Sequence, residues 1–248
     1  MKKLTLTIGA VLAFAVASQA QGLVAWQSIS AAAMTAQTNS TVYSPLFGGG
    51  STGSGAVGAT GSALTASDTA TPATGYYYEL LYTTYSGTQA AVPGSVSALL
   101  GWSDTSLTAS NSPTASRLIV AANQSSGSAV VPWASGTTDS IVLVGWSANL
   151  GSSWNVVSNE LAQWTTGADY STTIVGSAFL GISATGYVNP ALSPASGVTL
   201  FATAAGSQGL PIYSLNTQLY LLPVPEPATL ALAGLGGLGL LLFRRRRQ

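Results

Sequence analysis

Between residues 21 and 223, the side chains equipped for chemistry are six carboxylates, one arginine and a set of aromatic rings. Asp68, Glu79, Asp104, Asp139, Glu160 and Asp169 stand against a single cation, Arg117, a net charge of −5 over that stretch. Hydrolysis of a glycoside needs only two carboxyl groups flanking a sugar, roughly 5–9.5 Å apart depending on stereochemistry. Glu79, Asp104, Asp139, Glu160 and Asp169 are the candidates for such a pair. None of them forms a compact motif, and Asp104 and Asp139 fall where turn hydrogen bonding is ordinary. Histidine, cysteine and lysine are absent from the stretch. Their absence removes Ser-His-Asp and Cys-His nucleophiles, zinc held by His or Cys, c-type haem and iron–sulfur attachment, and the lysine of a phosphate loop or Schiff base. No Asp-x-Asp-x-Asp-Gly series offers a calcium loop either. The expectation is a chain without catalytic residues, without a metal and without a cofactor: not an enzyme.

The aromatic residues allow a different chemistry. Flat Trp and Tyr rings stack on the apolar faces of sugars and add a polar edge. Trp102, Trp133, Trp154 and Trp164, with the cluster from Tyr76 to Tyr82, could make such a platform if they lie outside. The competing reading places Trp146 and alternate tyrosines in a core that has few other large residues. The core reading is preferred.

Both ends of the chain carry export chemistry. Lys2 and Lys3, an apolar run from Leu4 to Val16 and the small residues of Ser18-Gln19-Ala20 read as a secretory signal, cleaved between Ala20 and Gln21 by signal peptidase. At the other end Pro225-Glu226-Pro227 is followed by an uncharged run, 228–243, and then by Arg244, Arg245, Arg246 and Arg247. The prolines stop helix from propagating out of the domain. The run spans about 24 Å as a helix, somewhat short of the ~30 Å hydrocarbon core. The arginines hold that tip in the cytoplasm. The tripartite order resembles the PEP-CTERM sorting signal of Gram-negative bacteria. That resemblance covers residues 224–247 and implies an inner-membrane-anchored precursor. It further implies that an exosortase cleaves near the motif and passes the ectodomain to the outer envelope, cell surface or exopolysaccharide matrix.

The elements between the ends must position whatever site exists. An acidic segment with one arginine repels phosphate backbones, so nucleic acid is not a partner. Without cysteine, an exported fold relies on its core rather than on disulfides. Tyr76 to Thr84 is the clearest strand, with Tyr76, Tyr78, Leu80 and Tyr82 on one face and Tyr77, Glu79 and Leu81 on the other. Strand character also marks 23–29, 96–102, 116–122, 140–148, 172–183, 197–204 and 212–222. Val157, Glu160, Leu161 and Trp164 recur at helical spacing, which predicts one short helix over 154–164. Short strands with Gly/Pro turns argue an all-β chain, a β-sandwich of the jelly-roll or Ig-like kind. The expected layout is a signal helix (1–20), a loosely attached N-terminal arm (21–43), a Gly/Ser/Thr-rich loop or linker (44–75), a sandwich ectodomain (76–223) and the sorting signal with its transmembrane helix (224–248). Strand order is not readable from these patterns.

The functional expectation is therefore an exported surface or matrix protein with a structural or interaction role, with exopolysaccharide as its partner. A carbohydrate-binding module using exposed Trp and Tyr is the alternative. A glycosidase built on a carboxylate pair is third.

Overall fold

The computed structural model describes residues 21–27, 29, 33–47, 62–63, 75–121, 126–165, 177–193 and 195–222. The expected signal peptide and the tail with its helix at 228–243 lie outside these residues, as does most of the 44–75 loop. Among the described residues no helix is long and apolar enough to cross a membrane.

Among the described residues thirteen strands run in chain order: β1 Gly22–Trp26, β2 Met34–Tyr43, β3 Ser62–Ala63, β4 Tyr76–Thr84, β5 Ser103–Asn111, β6 Leu118–Val120 and β7 Gly127–Val131. They continue with β8 Asp139–Ser147, β9 Phe179–Val188, β10 Ala191–Leu192, β11 Val198–Thr199, β12 Gly209–Leu210 and β13 Ser214–Leu221. The α-helices among the described residues are α1 Val96–Leu100 and α2 Trp154–Thr165. The larger sheet has the order β3-β2-β13-β9-β8-β4-β5-β6, with β12 added to β9. The smaller sheet gathers β7, β10 and β11 around β1. The chain is all-β in class, as the turn-punctuated sequence implies.

Period-two alternation explains the layering. On β4, Tyr76, Tyr78 and Leu80 enter a core that they share with Val24 and Trp26 of the small sheet. Leu81 on the opposite face, like Val142, Val144 and Trp146 of β8, packs instead under the two helices with Leu99, Trp154, Val157 and Leu161. The central strands are therefore covered on both sides, and all nine residues of β8 are buried. A strand buried on both faces reads as a continuous apolar run rather than as an alternation, as Ile141–Trp146 does. Trp26 ties the two sheets together, its indole Nε1 donating to Thr108 O on β5 at 3.2 Å.

Three local expectations change. The 21–43 arm is not loosely attached. Its strand β2 lies parallel to β13, and Val24, Met34 and Ala36 are fully buried. This segment also bends the large sheet into a half-barrel, for Ala36 N donates to Ser116 O and Ile29 N to Leu118 O, each at 3.0 Å, beside β6. Residues 96–100 form a helical turn rather than a strand. Ser95 caps it by accepting from Ala98 N at 3.2 Å, and Val96 and Leu99, three apart, are the buried pair. The expected strand at 197–204 is reduced to the two residues of β11.

Close packing excludes a side chain at Gly145. A Cβ at Gly145 would stand 2.5 Å from the ring of Tyr78, so the bare backbone there gives the tyrosine its space. The Tyr78 hydroxyl is enclosed without a hydrogen-bond partner among the described residues. An unsatisfied buried polar atom costs on the order of 1 kcal/mol. Tyr78→Phe is therefore expected to raise stability by about 1 kcal/mol, read as a higher urea midpoint at unchanged slope. A loss of similar size would show that the hydroxyl is satisfied.

Candidate functional site

Of the expected carbohydrate-stacking tryptophans, two are core. Trp133 is 6 % exposed and stacks on Tyr82 with centroids 5.0 Å apart. Trp154 is 4 % exposed and lies 6.1 Å from the ring of Trp146. Neither presents a face to a ligand, because each fills space between layers of a chain short of other large side chains. Trp102 is half-buried against the helix-side core. The side chain of Trp164 lies outside what is described.

The carboxylates divide more informatively. Glu79 points from β4 toward the helices, is 3 % exposed, and its Oε2 accepts from the backbone N of Trp154 at 2.9 Å, at the head of α2. Asp104 comes within hydrogen-bonding reach of it. A register shift between β4 and β5 brings this about: Glu79 faces Thr108 while Leu81 already faces Asp104. The extra residues include Ser106, held at φ 61°, whose N–H donates to Asp104 Oδ1 at 2.5 Å. Burial pushes the Glu79 carboxyl up to about 8, helped by the hydrogen bond and charge of Asp104 and opposed by the Trp154 N–H. Asp139 sits opposite Thr84, five residues along β4 from Glu79, which is about 17 Å away. Its carboxyl is also raised by burial, against a backbone hydrogen bond from Tyr85. Glu160 lies on α2 and Asp169 falls outside the described residues. Among the described residues no group of three or more metal-ligating side chains forms.

A hydrogen-bonded Glu79–Asp104 pair is too close to hold a sugar between its carboxyls, which hydrolysis requires to be at least ~5 Å apart. What Glu79 does instead is orient the start of α2 through the Trp154 N–H.

Concave surface occurs elsewhere, along β9. A hollow of about 310 Å³ lies beside Tyr187 and Val188, between β11 and the loop that carries Ser207 and Gln208. A second, of about 240 Å³, is bounded by Thr185, Gln89 and Tyr213. The two adjoin at Ala202, Ala204 and Pro211, and neither is lined by Asp, Glu, Lys or Arg. Sequence patterning gave no sign of them, since the loop reads only as small residues between short strands.

The sorting residues Pro225, Glu226, Pro227, Arg244, Arg245, Arg246 and Arg247 lie outside the described residues, as does Ala20. Gln21 is exposed immediately before β1. No curated protein and no solved structure matches the chain. Residues 223–247 match the family model of the PEP-CTERM protein-sorting motif. The motif implies processing by exosortase, and an exported precursor anchored in the membrane of a Gram-negative bacterium. On that match the chain is an exported protein that carries a PEP-CTERM sorting motif at residues 223–247.

Proposed function

We propose that this chain is a structural or interaction protein of the cell surface or exopolysaccharide matrix, released there after signal peptidase acts at Ala20–Gln21 and exosortase near Pro225–Pro227. The sorting motif carries this reading. A non-enzymatic role is supported by the lack of His, Cys and Lys between 21 and 223, and by the hydrogen bond that draws Glu79 and Asp104 together. The partner on this reading is exopolysaccharide, and no cofactor is needed.

Intact mass and fractionation of the protein from its own cells test it. The expected result is a chain that begins at Gln21, ends near Pro223–Pro227 and is recovered with the outer envelope or the shed matrix. A full-length tail retained in the inner membrane would overturn the reading. Replacing Pro225 and Pro227 together by alanine is expected to abolish release, with the uncleaved protein accumulating in the inner membrane on immunoblots. Normal release of that variant would place the sorting determinant elsewhere in the tail.

A further inference from the structure

We propose that the two adjoining hollows along β9 bind an uncharged polysaccharide segment, with Tyr213 as stacking ring and Gln89 and Gln208 as hydrogen-bonding groups. The inference rests on the reading above only for the protein's destination; the site follows from its lining.

The floor is rigid. β12 pairs with β9 through Gly209↔Val188 and Leu210↔Tyr187, and a Cβ at Gly209 would stand 2.1 Å from Tyr187 O. That approach pins the loop between β11 and β12 against the sheet. On the other side Gln89 is fixed from below, its Nε2 donating to Thr185 O at 2.7 Å, while Thr185 Oγ1 donates to Ala90 O at 2.5 Å. A preformed surface spares a ligand the ordering cost that mobile loops impose.

The walls offer hydrogen bonds without charge. Gln89 and Gln208 are exposed. Gln89 Oε1, the side-chain amide of Gln208 and the Tyr213 hydroxyl engage no described residue. Tyr213 is 44 % exposed, so part of its ring is open to a ligand. The Tyr187 ring, half-buried at the rim, is backed by Tyr85 at 4.7 Å and is thereby held in place. Rings that present area together with a polar edge, beside amides and hydroxyls, match the alternating C–H faces and hydroxyls of a sugar chain. A phosphorylated or sulfated ligand finds no cation here, and the net charge of −5 over 21–223 disfavours acidic polymers at long range. A neutral glycan incurs neither penalty.

The test is affinity electrophoresis of the natively processed protein through gels containing dextran, galactomannan or the neutral fraction of the polysaccharide shed by the producing cells, with alginate as the acidic control. At least one neutral polymer is expected to retard the protein and alginate is not. Tyr213→Ala is expected to weaken retardation about tenfold and Gln208→Ala severalfold. Both side chains are solvent-exposed, and an unchanged circular dichroism spectrum confirms that the variants fold. Retardation by none of the neutral polymers, or retardation that neither substitution alters, overturns the proposal. A Tyr213→Ala effect on self-association without glycan retention assigns the surface to a second copy and overturns it likewise. Protein found in the matrix that binds no neutral glycan sinks this inference alone, whereas protein retained in the inner membrane sinks the broader reading.

Discussion

Trp146→Ala is expected to cost about 3–5 kcal/mol of stability, the range for deleting a fully buried aromatic side chain. Trp146 is 0 % exposed on the helix-facing side of β8. Its ring lies 6.3 Å from that of Tyr77 and 6.1 Å from that of Trp154, and its Nε1 donates to Gly151 O at 2.8 Å. Truncation therefore opens a cavity, leaves a carbonyl unpaired and removes the anchor for the turn that launches α2. Domains of this size hold a margin of about 5–15 kcal/mol, so the variant sits near the edge of folding. Trp146→Phe keeps most of the volume and is expected to lose roughly half as much. Urea titration of the three proteins measures this, with Trp102→Ala at a half-buried site as the mild comparison. A Trp146→Ala loss below about 1 kcal/mol would contradict the layered packing.

The same residue shows what the sequence allows a reader to see. Large side chains betray their layer: the alternation of Tyr76, Tyr78 and Leu80 against Tyr77, Glu79 and Leu81 matches the two cores on either side of β4. The apolar run around Trp146 marks a strand covered on both faces. Where interior positions are filled by small or polar residues the pattern fades. β5 buries Thr105, Leu107, Ala109 and Asn111, and β2 buries Ala36 and Asn39, so neither stands out as a strand. Asn39 belongs inside only because its Nδ2 donates to Gln218 Oε1 at 2.8 Å on the neighbouring β13, a partner 179 residues away. No local window contains that information. Residues 96–102 mislead in the opposite direction, because Val and Leu suit a strand while a single Ser95 cap decides for a helical turn.

Site residues follow the same division. The sorting signal is legible because its parts are contiguous and their order carries the physics, from helix-stopping prolines through an apolar span to a charge block. The Glu79–Asp104 pair depends on the register shift at Ser106 and the hollows along β9 depend on the pairing of β12, neither of which is encoded in local composition. Trp133 and Trp154 illustrate the hazard of assigning aromatics to ligands by type alone. In a segment so poor in large residues the interior claims them first.

Glu79→Gln is expected to abolish most of a pH dependence of stability that runs from about pH 4.5 to about pH 8. The folded protein raises this carboxyl to about 8 from an ordinary value of 4.5, so between those limits the folded state binds the extra proton. Stability from the site is then full below pH 4.5 and is lost as pH rises through 8. The full shift is worth about 5 kcal/mol, which solvent screening through the exposed Asp104 reduces to on the order of 3 kcal/mol. The groups that face Glu79 fix the sign. Burial and the Asp104 carboxylate both favour the proton, and only the Trp154 N–H at the head of α2 opposes it. Glutamine imitates the protonated acid: its Nε2 can donate to Asp104 and its Oε1 can accept from Trp154 N, with no charge to desolvate at high pH. The variant should match the parent near pH 5 and exceed it near pH 9 by most of that difference, as read from urea midpoints at the two pH values. Asp104→Asn, which removes the neighbouring charge, should lower the Glu79 midpoint and so narrow the pH range and reduce the total change without erasing it. Parallel stability curves for parent and Glu79→Gln across this range would mean that Glu79 ionises normally. Its burial beneath α2 would then not hold in solution.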